Sequence, residues 1–335
     1  MESPNAAALD SVPSVLEYLR KFQLSPERMK LIASLPAEDS ISEIYCHQYK
    51  GFWMDSRHLV GMLSCQELFE AQATDVFVVS YPKCGTTWLK ALAFAVMKRA
   101  QFPDSKQHPL LSTNPHEVVP YLEFLNRYHS PLDLDRFGHP RLLGSHLPVV
   151  ALPKSVRDKG CKLVYVWRDP KDAFVSLWHF VNKIKSSDRS TVTIDEAYDK
   201  FIKGMTSYGP FWEHILSYWK ESVDNPTRVL FLRYEAMKED PKGEVKKLSK
   251  FLGCPFSPEE DASGVVDDIV KFCSFDNLSN LDVNKTGKQQ VGGVPNDSFF
   301  RRGEVGDSTN FLSPENAKLI DEITKEKFAS FNLIP

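Results

Sequence analysis

The chain has no run of 18 apolar residues, so its sequence offers no membrane-spanning helix. Its start, with Glu2, Asp10 and Glu17, shows no basic segment leading into an apolar one, so no secretory leader is expected and the expected location is cytoplasmic. An excess of charge is also missing: 41 Lys and Arg face 44 Asp and Glu, a net charge of −3. That excludes a general nucleic-acid coat, and it requires any bound anion to be held by a local cluster of cations. No two of the six cysteines form a C-x-x-C pair, so free buried thiols are expected rather than disulfides in a chain of 335 residues. The nine histidines include no H-E-x-x-H and no clustered spacing, and no metal site is expected. With no internal repeat, 42% hydrophobic and 25% charged residues, the chain is neither disordered nor fibrous.

What is present is an alternation. Residues 75–81, 161–167 and 228–232 are β-branched and aromatic runs of strand length, and 141–146 is a shorter one. Helical spacing follows over 86–100, 171–181 and 243–252, and further helices are predicted at 194–205, 210–222, 265–273 and 314–331. This rhythm predicts an α/β fold with a central parallel β-sheet flanked by helices. No break in composition divides the chain. Residues 46–335 therefore read as a single domain, and residues 1–45, with a short helical pattern over 15–22, as an N-terminal extension. The stretch 284–298 is too long and polar for an ordinary connection and reads as a mobile lid.

Ligands of open α/β sheets sit beyond the carboxyl ends of the strands. After the first strand comes Tyr81-Pro82-Lys83-Cys84-Gly85-Thr86-Thr87-Trp88. Its glycine turn and two threonines open a helix whose free N–H groups suit a phosphate; Lys83 adds charge and Trp88 a face for a base. An ordinary strand–turn–helix capped by Thr86 fits the same residues. After the second strand come Arg168 and, two turns into the next helix, Ser176. Arg168 can fork onto a second anion, or form a structural pair with Asp169 or Asp172. Tyr234 ends the third strand, His146 ends the short one, and Arg301-Arg302-Gly303 follows the polar stretch.

In this order, Tyr-Pro-Lys-x-Gly-Thr-Thr-Trp, Ser-His-Leu-Pro, Trp-Arg-Asp-Pro-Lys-Asp, Arg-Tyr-Glu and Arg-Arg-Gly-Glu-Val-Gly-Asp resemble the cytosolic sulfotransferases. The likeness runs from Tyr49-Lys50-Gly51-Phe52-Trp53 to the C-terminus, about 85% of the chain. Asn114-Pro115-His116-Glu117-Val118-Val119-Pro120-Tyr121 and Tyr208-Gly209-Pro210 resemble the plant branch. The resemblance implies the P-loop-like sulfotransferase fold. It also implies transfer of a sulfuryl group from 3′-phosphoadenosine 5′-phosphosulfate (PAPS) to a hydroxyl of a small acceptor, leaving adenosine 3′,5′-bisphosphate. His146 would be the general base, and Lys83 would stabilise the leaving group. Lys83, Cys84, Gly85, Thr86, Thr87 and Trp88 would form the 5′-phosphosulfate loop. Arg168 and Ser176, joined by Arg301, Arg302 and Gly303, would take the 3′-phosphate, while Tyr234, Cys273 and Phe275 would line the base. No metal, nucleic acid or membrane is implied.

A P-loop kinase would need a Walker A loop and an acidic magnesium ligand, and neither is found. A nucleotide-binding module without activity would be marked by loss of Lys83 or His146, and both are present. The chain departs from the family pattern in three places. Cys84 stands where Ser, Thr or Ala is common; its side chain either only packs or, at a helix start beside Lys83, has a lowered thiol pKa that makes it oxidisable. Gly144 stands where animal members carry lysine, which shifts charge stabilisation onto Lys83. Ser308 replaces a frequent tryptophan, and the animal dimerisation pattern is absent, leaving the oligomeric state open. Phe52, Trp53, Tyr121, Phe180, Tyr208 and Phe211 are the expected acceptor walls, with 284–298 as gate. They favour a phenolic or flavonoid hydroxyl among plant acceptors that include hydroxyjasmonate, brassinosteroid, salicylate and desulfoglucosinolate.

Overall fold

A computed structural model describes residues 24–41, 45–125, 134–185 and 190–333. The helical pattern at 15–22 lies outside the described residues. Four short strands form a wholly parallel sheet in the order β5-β4-β6-β7: β4 (Val76–Val79), β5 (Leu142–Ser145), β6 (Lys162–Trp167) and β7 (Val229–Arg233). β4, β5 and β6 are one to three residues shorter than their apolar runs, because pairing stops where the chain turns into a loop, and β7 is shifted one residue along its run. Before this sheet, β1 (Ala37–Asp39), β2 (Tyr45–Tyr49) and β3 (Phe52–Asp55) make a small antiparallel sheet. α1 (Pro26–Ser34) and α2 (Ser56–Leu68) flank it, and Ile32, Met54, Leu59 and Tyr208 share one apolar cluster beside it.

The two-residue period of a strand divides the core. Phe77, Val79, Tyr165 and Trp167 face one side, packing with Phe174, Trp212 and Phe328 from α7 (Pro170–Ile184) and the helices Phe211–Asp224 and Pro314–Ala329. Val76, Val78, Val164 and Val166 face the other, against Leu89, Leu92 and Val96 of α3 (Thr86–Lys98) and the helices Pro241–Leu252 and Val265–Phe272. Both faces are covered, as the near-continuous apolar strands require. Parallel strands bring all four carboxyl ends to one edge, where the loop after β4, His146 after β5, Arg168 after β6 and Tyr234 after β7 meet. α4 (Pro115–Val118) and α5 (Leu122–Leu125) close this edge beyond β5, with Tyr121 bridged to Gly144. α6 (Lys154–Asp158) lies between β5 and β6.

The polar stretch 284–298 is more ordered than expected. Asp282–Thr286 is a short helix, Lys288 bridges to Pro295, and Asn296–Phe299 is a 3₁₀ turn. The fully buried Asn284 explains why: its amide donates to Leu278 O, and its oxygen accepts from Asn114 Nδ2, each at 2.8 Å. None of the six cysteines is in a disulfide, and five of them are buried. No helix among the described residues is long and apolar enough to cross a membrane.

Candidate active site

The turn after β4 is shaped by Lys83 and Gly85, both in the left-handed region at φ +69° and +102°. Gly85 cannot be replaced cheaply, since a Cβ there would lie 2.6 Å from the ring of Tyr234. Gly85 is also the N-cap of α3 and supplies no side-chain acceptor, so the first amides of the helix keep their donors for a ligand. Thr86 bonds Ser80, which ties the helix start to the strand end. The Lys83 ammonium lies 4.2 Å from the Phe180 ring and 5.7 Å from that of Phe299. Burial, reinforced by Arg301, Arg168 and Lys183, pushes its pKa down to about 7.

A second cationic group forms where β6 ends. Arg168 pairs with Asp172 at 3.1 Å and donates to Glu304 O, so the structural pairing weighed from sequence exists; Asp169 instead caps α7 and binds Lys171. The pairing leaves Arg168 Nε buried without a hydrogen-bond partner. Asp172 also accepts the amides of Gly306 and Ser308 at 2.7 and 2.9 Å, fixing the 303–308 loop. Just before that loop, Arg301 and Arg302 both pair with Asp307, and Arg301 Nε is likewise buried and unpartnered. Burial alone would raise Asp307, but Arg301, Asn310 and Arg302 hold it at about 2. Tyr234 donates to Gly303 O at 2.9 Å, and its ring lies 4.6 Å from the Arg168 guanidinium. Three cations thus converge in a protein of net charge −3, two with an unspent buried N–H. Burying polar groups unpaired is costly, so the arrangement calls for an anion.

His146 is held from three directions. Its Nδ1 lies 2.7 Å from Ser80 O, which can only accept, so Nδ1 carries the proton and Nε2 is the free acceptor. Its amide donates to Glu123 Oε1 at 2.8 Å, and its carbonyl accepts from His214 Nε2 at 2.9 Å. Burial takes the imidazole well below its ordinary pKa, the Ser80 bond opposes, and Lys90 lowers it further; at neutral pH it is an uncharged base. Glu123 is itself fully buried and also accepts from Ser145 and from Tyr208 at 3.1 and 3.2 Å.

One cavity of about 300 Å³ collects Lys83, Gly85, Thr86, Thr87 and Trp88 with His146. Arg168, Ser176, Tyr234, Cys273 and Phe275 line it too, as do Arg301, Arg302 and Gly303. Cys84 is the exception. It is fully buried, absent from the lining, and burial raises its thiol far above the ordinary value, so the activated-thiol reading is corrected to an inert core group. Of the expected acceptor walls, Tyr121 and Phe180 face the cavity. Phe211 is instead core, edge-on to Tyr81 at 4.9 Å, and Phe52, Trp53 and Tyr208 are buried away from the lining. Sequence reasoning missed Phe299, Glu123 and His116. Phe299 and His116 line the cavity, and His116 lies within bonding distance of Thr87 and Lys90. Local sequence disguises His116 as the second residue of a turn capped by Asn114.

Comparison with known proteins agrees with this geometry. A family model described as the sulfotransferase domain matches residues 73–332. Cytosolic sulfotransferase 6 of Arabidopsis thaliana is 43% identical, over 94% of this chain and 97% of its own. The crystal structure of a candidate steroid sulphotransferase from Arabidopsis thaliana superposes with a TM-score of 0.74 at 38% identity, covering 93% of this chain and 98% of its own. A mouse sulfotransferase solved with adenosine 3′,5′-bisphosphate (PAP) superposes with a TM-score of 0.65 at 28% identity, covering 86% and 95%. On sequence and on fold alike, the chain belongs to the sulfotransferase family and is akin to its plant cytosolic members.

Proposed function

We propose that the cavity binds PAPS and that the chain transfers its sulfuryl group to a hydroxyl of a small acceptor. The observation that carries this reading is one cavity that collects both cationic groups, Lys83 with the start of α3 and Arg168 with Arg301, together with the free Nε2 of His146. When bound, PAPS supplies the sulfuryl group between two anionic ends. The start of α3 with Lys83, Thr86 and Thr87 would hold one end. Arg168, Ser176, Arg301 and Gly303 would hold the other, with Trp88, Tyr234, Cys273 and Phe275 around the base.

His146 Nε2 accepts the proton of the acceptor hydroxyl, while the Ser80 carbonyl keeps Nδ1–H in place and prevents the ring from turning. Glu123 fixes the backbone below it. Lys83 keeps positive charge at the helix start, and Phe180 and Phe299 keep water from its ammonium. Tyr121, 4.7 Å from the His146 ring, and Phe180 offer flat walls that suit a phenolic or flavonoid acceptor. Residues 46–335 would carry the activity as one unit in the cytosol, the compartment named for its relatives.

The test separates the two halves of the site. His146→Ala should lower turnover by about 10²–10⁴-fold and leave PAP affinity nearly unchanged. Arg168→Ala should weaken PAP binding by roughly 10–100-fold, the worth of a charged hydrogen bond of about 1.5–3 kcal/mol. Mass detection of a sulfated product with PAPS, and of none with ATP and magnesium, checks the reaction class. Equal loss of PAP binding in both variants overturns the division.

A further inference from the structure

Lys90 is fully buried in α3 and does not line the cavity, yet a buried amine needs a reason. Its Nζ lies 3.1 Å from the centroid of the Tyr121 ring and 3.2 Å from His116 Nδ1. The ring face takes N–H hydrogens and a ring nitrogen can accept one, so Lys90 donates to both. Burial pushes the Lys90 amine well below its ordinary pKa, and the carboxylates of Glu123 and Glu117 oppose that shift; charged or neutral, the amine keeps the two N–H groups that these contacts need. Space for Lys90 comes from Gly144, because a Cβ at that position would overlap Cε and Nζ of the lysine.

The consequence reaches the site through one imidazole. With Nδ1 accepting from Lys90, neutral His116 carries its proton on Nε2. That Nε2 lies 2.9 Å from Thr87 Oγ1, which must accept, so the hydroxyl hydrogen of Thr87 is left to point elsewhere. Thr87 lines the cavity at the start of α3. Burial, with Lys90, His146 and Lys83 nearby, keeps His116 uncharged, as this arrangement needs. Tyr121 stacks on the His116 ring at 5.2 Å and 20°, which holds its plane. Without the lysine, the opposite tautomer becomes available, and Thr87 would then donate to Nε2 and offer the cavity only lone pairs.

We propose that Lys90, acting through His116, is a positioning residue that holds Thr87 as a hydrogen-bond donor to the anion at the helix start, and that glycine at 144 is what admits it. The proposal rests on the reading of the cavity as a PAPS site, and it concerns the 5′ end of that nucleotide alone.

Two measurements test it. In the wild-type chain, ¹⁵N spectra of labelled histidine, with His116 assigned by its loss in His116→Phe, should show Nε2 protonated and Nδ1 bare; a protonated Nδ1 overturns the proposal without any variant having to fold. Calorimetry then compares PAP with adenosine 3′-monophosphate, which lacks the 5′ group. Lys90→Met should weaken PAP binding about tenfold and leave the monophosphate within roughly twofold. Gly144→Ala should reproduce that pattern by displacing the lysine, and Lys90→Met should add nothing in a Thr87→Val background. Undiminished PAP binding in Lys90→Met, or equal weakening of both nucleotides, overturns the role of Lys90 while leaving the donor reading standing. A wild-type chain that binds neither nucleotide overturns both.

Discussion

Lys83 joins two uncommon conditions, a left-handed backbone at φ +69° and an ammonium crowded by Arg301, Arg168 and Lys183. Left-handed backbone costs a bulky residue about 1–2 kcal/mol, and the repulsion adds to it. Both are consistent with a residue placed for a ligand rather than for the fold. The sign of the consequence follows from linkage. A free pKa of about 7 means that Lys83 is charged below neutrality and loses its proton as pH rises through that value. An anion restores the charge, so binding takes up a proton above pH 7, and affinity falls by up to about tenfold per pH unit there. His116 and His146 are both held well below their ordinary range and stay neutral across this window. Calorimetry of PAP binding at pH 8 in buffers of different ionisation enthalpy should therefore report uptake approaching one proton, abolished in Lys83→Met. Absence of uptake in the wild type contradicts the assignment. The place of Lys83, in the turn between a strand and its helix, was legible in the sequence, whereas its role was open from spacing and came only with the resemblance. For Cys84, its neighbour, a packing side chain and a reactive thiol at the helix start were both open, and burial decides for packing.

At the level of elements, the sheet was readable because its strands are buried on both faces and so carry uninterrupted β-branched and aromatic runs. Local sequence does not record which distant segments close over the strand ends. The order of 284–298 depends on Asn284 meeting Asn114, 170 residues away, and Phe211 looked like a pocket wall until the turn before it sent the ring under Tyr81. The 303–308 loop shows how one residue organises such a segment. Asp172, 1% exposed, binds Arg168 and the amides of Gly306 and Ser308, so a single carboxylate ties α7 to the loop that carries Gly303 and follows Arg301. Removing one partner of a buried pair costs about 3–5 kcal/mol, since the other charge is left uncompensated. Asp172→Ala should lose stability of that order in denaturant titration and bind PAP more weakly. A loss confined to below about 1 kcal/mol would show that the loop stands without this anchor.

Across the whole molecule, the cavity draws on segments from residue 82 to residue 303, so its ligand contacts exist only when the sheet, α3, α7 and the C-terminal loop are assembled. A nucleotide bound there cannot be retained by the unfolded chain, and its full binding free energy is added to global stability. At 100 times its dissociation constant, PAP should add about 2.7 kcal/mol and raise Tm by a few degrees. With a net charge of −3, the molecule provides no long-range attraction for anions, so this shift depends on the local cations and should shrink as salt screens them over a Debye length of about 10 Å at 0.1 M. The same argument gives the selectivity. Arg168 and Arg301 line the same cavity as the start of α3, and on the proposed reading they take the 3′-phosphate, which ATP lacks. Thermal unfolding with PAP, with ATP and magnesium, and without nucleotide should order the midpoints with PAP highest and ATP near the free chain. A shift from ATP equal to that from PAP would mean that the second cationic group does not read the 3′ end.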